Sequence, residues 1–180
     1  DAADDVARCF EHDPVGFAPE EIAPRIHALT LNTEDSLREY VRLNLRIPLV
    51  GRIGPIAQAF DFLATAAPGI KEALTTGKIC WEVRQSIAGE APWDIVIVDA
   101  AATGHVIAQL DVARVLDELV TVGPVRDQAR WMIDLLDDPE ITAMLVVTTA
   151  EEMPIQETMQ LIRDARARLA IDLAGVVVNR

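Results

Sequence analysis

Several things that would fix a function at once are scarce here. Among 180 residues there are two cysteines, Cys9 and Cys80. They stand apart, so neither a disulfide framework nor a cysteine-based metal site is written into the chain, and a reducing cytoplasm is the expected setting. Basic residues are few: 16 Lys and Arg face 29 Asp and Glu, a formal net charge of -13. That balance argues against a nucleic-acid surface, which needs basic patches. A single nucleotide is still possible, because a few backbone amides can hold one. No apolar run approaches the ~20 residues of a membrane span, and no secretory signal is visible. The only histidines, His12, His27 and His105, lack metal-ligand spacing, and no Ser-His-Asp arrangement can be placed. The phosphate-cradling loop Gly-x-x-x-x-Gly-Lys-Ser/Thr is missing too.

What is present suits a folded α/β chain. Hydrophobic residues make up 51% and charged residues 25% of the total, and the length suffices for one domain with a sizeable core. The organising stretch is Asp94 to His105, Asp-Ile-Val-Ile-Val-Asp-Ala-Ala-Ala-Thr-Gly-His. Four β-branched apolar residues, Ile95 to Val98, predict a strand buried on both faces. Asp99 then falls at its carboxyl end, where open α/β sheets bind ligands. A carboxylate there suits the water shell of a magnesium ion, which uses few protein ligands beside phosphates. It suits equally an acid that caps the next helix, and the pattern does not choose between them. Gly104 permits close backbone approach to a phosphate, and Thr103 or His105 could sense one; a plain turn would look the same. An aspartyl phosphatase would carry a second Asp at position 101, where this chain has Ala101.

Around this stretch, Val6 and Phe10 predict a short helix, and the prolines and glycine between His12 and Pro24 an irregular connection. Ile26–Leu31 reads as a strand, and Thr33 as the cap of a helix with Glu34 and Asp35 in its first turn. Leu43–Gly89 carries breakers between short apolar segments and predicts a helical insertion, with one helix starting near Pro68-Gly69. Val112–Val120 is helical in spacing, and Ala129, Met132, Ile133 and Leu136 fit a second helix. Buried strands are expected at Ala143–Thr149 and Ala174–Val178, with a helix opened by Pro154 between them and Ile155, Thr158, Met159 and Ile162 on its apolar face. Strands alternating with helices imply a parallel sheet.

In this order the segments resemble the arsenite-transport and tail-anchored-protein-targeting ATPases, the ArsA/Get family. Val98–His105 is similar to that family's switch II, Asp-Thr-Ala-Pro-Thr-Gly-His. Asp1–Phe10 resembles its switch I, Asp-Pro-Ala-His-x-Leu-x-x-Ala-Phe. Leu29–Tyr40 resembles the segment that follows, and Pro68–Ala73 the Pro-Gly-x-x-Glu segment of its helical subdomain. Val146–Leu161 resembles the strand and helix before the adenine loop, and Val176–Asn179 the strand ending in an Asn that reads adenine. The resemblance spans nearly the whole chain, and the order and spacing of its motifs carry it.

The resemblance implies an α/β, P-loop NTPase-like but incomplete parallel sheet flanked by helices, as a single partial ATPase domain over 1–180 with the helical insertion at 43–89. It implies ATP and Mg2+ as cofactors. Asp1 would position the attacking water, Asp99 would hold the magnesium shell, Thr103, Gly104 and His105 would sense the γ-phosphate, and Asn179 would contact adenine. The implied partners are a homo- or heterodimer of related ATPases and a membrane-protein or hydrophobic client at the insertion, with no nucleic acid. The implied location is the cytoplasm, peripheral to a membrane. Ala100 and Ala102 stand where the family has Thr and Pro, and Ala2 and Asp4 where it has Pro and His. These departures keep open a degenerate subunit that binds nucleotide or a partner without hydrolysis. A partition or septum-positioning ATPase is the other alternative, disfavoured by the length of 43–89. Neither arsenite-binding thiols nor the family's Cys-x-x-Cys zinc motif is found. The chain starts at Asp1 and stops directly after a strand-like segment, so an internal fragment is expected, with a glycine-rich loop bearing two lysines roughly 25–35 residues upstream. On this reading residues 1–180 alone hydrolyse no ATP; phosphate release above background from this chain would contradict that placement of the loop.

Overall fold

The computed structural model describes residues 5–45, 69–89, 93–100 and 104–179. The chain divides between Thr75 and Thr76 into two compact units. In the first, α1 (Asp5–Cys9) is followed by β1 (Glu20–Ala23), β2 (Ile26–Ala28) and α2 (Thr33–Leu45). The stretch expected to be irregular therefore contains a strand. β1 and β2 form an antiparallel hairpin in which Ala23 faces Ile26. Pro24 fixes one central residue of the turn and Arg25 takes a φ of 65°, the combination a type II turn uses. Glu21 Oε1 accepts the Arg25 N–H at 3.1 Å and steadies that left-handed residue. Only Ile22 of β1 is buried, so no period of two betrayed the strand. Ile22 packs with Ala7, Val15 and Ala28.

The α2 cap is Asn32 rather than Thr33. Asn32 Oδ1 accepts the Asp35 N–H at 2.8 Å, and its amide donates back to the Asp35 carboxylate at 2.8 Å. The pairing satisfies an orphan donor of the first turn. Glu34 and Asp35 occupy the positive end of the helix as expected.

α3 (Ile70–Ile87) contributes residues from Thr76 onward to the second unit. It starts just after Pro68-Gly69, as the sequence predicts; residues 46–68 of the expected insertion lie outside the described residues. Then come α4 (Gly104–Leu119), α5 (Pro124–Asp137), β3 (Ala143–Thr148), α6 (Glu152–Arg168) and β4 (Asp172–Val178). The helical spacing of α5 is realised: Ala129, Met132 and Leu136 are buried, with Pro124 opening the helix where a missing N–H costs nothing. These residues meet Cys80 of α3 and Ala113 of α4 in one core cluster. Charges tie α4 to α5 at the rim. Asp117 Oδ1 accepts from Arg126 Nε at 2.9 Å and from Arg130 Nε at 3.1 Å, and Arg114 pairs with Asp137. The Arg126 hydrogen bond, with help from Arg130, holds the Asp117 carboxyl below its ordinary pKa.

β3 and β4 are parallel and run in register from Ala143↔Asp172 to Thr148↔Val178, with one slip between Met144 and Leu145. α6 connects them, which makes a βαβ unit and an α/β fold with a parallel strand pair flanked by helices. A second cluster, Ile107, Ala165 and Leu169 with Met144, Leu161 and Ile171, seats α4 and α6 on the strands. None of the described helices is long and apolar enough to cross a membrane.

Three expectations are corrected. Ile95–Val98 is not a buried strand: it pairs with no described strand, and its residues are 78%, 37%, 88% and 43% exposed. β-branched side chains favour extended backbone, but a strand exists only where another chain segment completes its ladder. β3 and β4 are likewise not buried on both faces, since Leu145 and Val147 on the first and Val176, Val177 and Val178 on the second stay exposed. On α6, Ile155 and Met159 are exposed while Ala165 is buried, so the packing face lies at the carboxyl-terminal half of the helix. Leu161 and Ala165, four apart, reach the core there, whereas no described element covers the first turns.

Cys80 is fully enclosed, and burial pushes its thiol from 9.0 up to about 12. The unfolded chain loses this proton first as pH rises. Its contribution to stability is therefore complete below pH 9.0 and is lost towards about 12. In that window urea titrations should show stability falling by about 1.4 kcal/mol per pH unit from this group. In Cys80→Ala that part of the slope should vanish.

Candidate functional site

The residues singled out from sequence fall at two places in the second unit. Asp99 lies in the unpaired stretch after Val98 and is exposed; 101–103, including Thr103, lie outside the described residues, as does Asp1. Gly104 is the first residue of α4 and His105 the second, and both are exposed. α4 runs for 16 residues and has no acidic side chain in its first turn. A helix end of that kind presents unpaired N–H groups and the positive end of the helix dipole, with no carboxylate to compete for them. Such an end is suited to an anion.

Among the described residues no contact requires glycine at position 104. A Cβ built on it would meet nothing within 4 Å among the described residues. Its φ lies outside the left-handed region, where Gly69, Gly89 and Gly123 are found. Inside a helix, glycine is less favourable than alanine by up to about 1 kcal/mol. The missing side chain leaves the backbone at this helix start open to close approach.

Asn179 follows β4 and is exposed, but its backbone is fixed: the N–H donates to Thr148 O at 2.7 Å. That bond continues the β3–β4 ladder by one step. It places Asn179 at the carboxyl edge of the strand pair, the edge at which open α/β sheets meet their ligands. Among the described residues no hydrogen bond or ion pair joins Asp99, His105 and Asn179. Nor do three or more His, Cys, Asp or Glu side chains gather into a metal site among them. A single carboxylate is nevertheless a protein donor that magnesium accepts, since the ion keeps several waters and takes phosphate oxygens.

Sequence reasoning missed a buried polar link close to this stretch. Lys78 Nζ lies 2.7 Å from Glu82 Oε1, and Trp93 Nε1 donates to Glu82 Oε2 at 2.9 Å. The Lys–Glu spacing of one helical turn was the only signal in the sequence, and it is indistinguishable from a surface pair.

The family model described as anion-transporting ATPase matches residues 121–180. The ATPase BagA of Mycobacterium tuberculosis is 31% identical over 181 residues, covering 97% of this chain and 53% of that protein. The ATPase get3 of Schizosaccharomyces japonicus is 25% identical over 158 residues, 70% of this chain and 47% of that one. GET3 of Komagataella phaffii is 21% identical over 188 residues, covering 87% and 54%. The chain thus spans about half the length of the curated relatives it matches.

Gly104→Ala is expected to leave the chain as stable as before or to stabilise it by up to about 1 kcal/mol. Chemical denaturation followed by circular dichroism measures this. A clear loss of stability would show that glycine serves the fold at this position after all.

Proposed function

Because the chain belongs to the ATPase family that ArsA and the Get3-type proteins share, we propose that it supplies the switch and base-contacting elements of an ATP-hydrolysing protein. The supporting observation is Gly104: an unneeded glycine opening a helix whose first turn holds no acid, a few residues after Asp99. In this reading the α4 amino terminus, with Thr103, Gly104 and His105, meets the γ-phosphate. Asp99 holds a water of the Mg2+ shell, Asp1 orients the attacking water, and Asn179 contacts adenine from the carboxyl edge of β4. The bound magnesium supplies charge neutralisation on the phosphates. The chain's own groups contribute positioning and fixed dipoles, which carry most of the catalysis in phosphoryl transfer.

The active form is a homo- or heterodimer of related ATPases in the cytoplasm, peripheral to a membrane, and nucleotide-driven movement of the switches is coupled to the helical insertion at 43–89. A membrane-protein or hydrophobic client docks on that insertion, and nucleic acid is not a partner. The domain is a single partial ATPase unit over 1–180. A second reading, a subunit that binds nucleotide without hydrolysing it, is favoured by Ala100 and Ala102, which replace the family's Thr and Pro in switch II.

ATP turnover by the full-length protein separates the two. Wild type should hydrolyse ATP, and Asp1→Asn and Asp99→Asn should each lower kcat about 100-fold or more. Nucleotide binding without turnover in wild type would establish the non-hydrolytic reading, and the absence of both would sink the ATPase reading altogether.

A further inference from the structure

Lys78 and Glu82 sit one turn apart on α3 with side chains only 7% and 15% exposed. Withdrawing two charges from water carries a desolvation penalty, and an apolar pair of similar volume generally does as well or better. Stability alone therefore does not account for the pair. Its second connection does. Glu82 uses Oε1 for Lys78 and Oε2 for the indole N–H of Trp93 at 2.9 Å. Trp93 leads directly into Asp94–Asp99. Beyond the stretch, Thr76 Oγ1 of α3 donates to Gln109 O of α4 at 3.1 Å, in the helix that Gly104 and His105 open. Cys80, on the same side of α3 as Thr76, packs against Ala113 of α4. α3 thus meets the segment Asp94–Asp99 at its entry through Trp93, and meets α4, which Gly104 and His105 open, through Gln109 and Ala113.

We propose that Glu82 is a positioning residue that ties this stretch to α3 through Trp93, so that a nucleotide-dependent movement of the stretch is delivered to the helix. The proposal rests on the ATPase reading and names the link by which it reaches the insertion. The exit contact is packed among apolar side chains and holds α4 fast. The entry contact includes a hydrogen bond from an indole to a charged acceptor, which a shift of Trp93 breaks or remakes. Lys78 holds one oxygen of Glu82, so the carboxylate presents its other oxygen to the indole in a fixed direction.

The test uses the full-length protein. Lys78→Met with Glu82→Gln removes both buried charges and keeps an oxygen for the indole N–H. Lys78→Met with Glu82→Leu removes the acceptor as well. The first should keep kcat near wild type, while the second, like Trp93→Phe, should lose about tenfold in kcat with KM for ATP within about twofold. A merely structural pair would shift the melting temperature of both double variants without separating their kcat. With Trp81→Phe and Trp131→Phe in place, Trp93 is the sole tryptophan of residues 1–180, and its emission is read as the difference from the same protein carrying Trp93→Phe as well. Its emission should then shift with Mg2+ and a non-hydrolysable ATP analogue, but not with Mg2+ and ADP. Equal kcat in the two double variants with a wild-type rate in Trp93→Phe overturns the assignment. So does Trp93 emission that ignores both nucleotides. If equilibrium dialysis finds neither nucleotide bound, the ATPase reading fails first and takes this one with it.

Discussion

Helices α3, α4 and α5 meet at Cys80, Ala113 and Met132, all essentially without solvent exposure, and the placement of the candidate site depends on that meeting. Small residues at Cys80 and Ala113 let the helices approach closely, and Met132 fills the gap between them as an adaptable, unbranched side chain. α4 then has a fixed axis, so the N–H groups at its start point in a fixed direction. A helix end binds an anion well only if it does not have to be ordered first. The core thus acts on the site indirectly, by removing the entropy cost of orienting α4.

Much of the second unit could be read from sequence. Periodicity located α5, and short β-branched runs located β3 and β4, because these elements bury one face against neighbours close in the chain. The failures have a common physical origin. Ile95–Val98 and Val146–Thr148 look alike in composition, yet only the second has a ladder partner, and pairing is a non-local property. Asn32 and Thr33 are both good caps, and the choice between them turns on which side chain reaches the Asp35 N–H. β1 was hidden because a short hairpin strand with one buried residue has no pattern to show.

The candidate site was legible in a different way. Asp99, Gly104, His105 and Asn179 were picked out by the order of motifs, and the structure adds reasons for two of them: the unneeded glycine at Gly104 and the ladder-fixed backbone of Asn179. The Lys78–Glu82–Trp93 link was invisible because burial turns an ordinary helix-surface spacing into an enclosed network, and burial cannot be computed from spacing. Outside the described residues, Asp1 remains an expectation drawn from the resemblance, and Thr103 one drawn from the Thr-Gly-His motif and the resemblance together.

The strand pair has one more consequence. On β3, Leu145 and Val147 are exposed, on β4 so are Val176 to Val178, and the apolar run Ile95–Val98 is exposed as well. Unpaired strand edges flanked by apolar side chains are templates for association between molecules. The opposing influence is global: a net charge of -13 gives every copy the same strongly negative field. That repulsion acts over a Debye length of about 8 Å at physiological salt and weakens as salt rises. The acidity therefore acts as a colloidal guard, one that concentrated salt weakens.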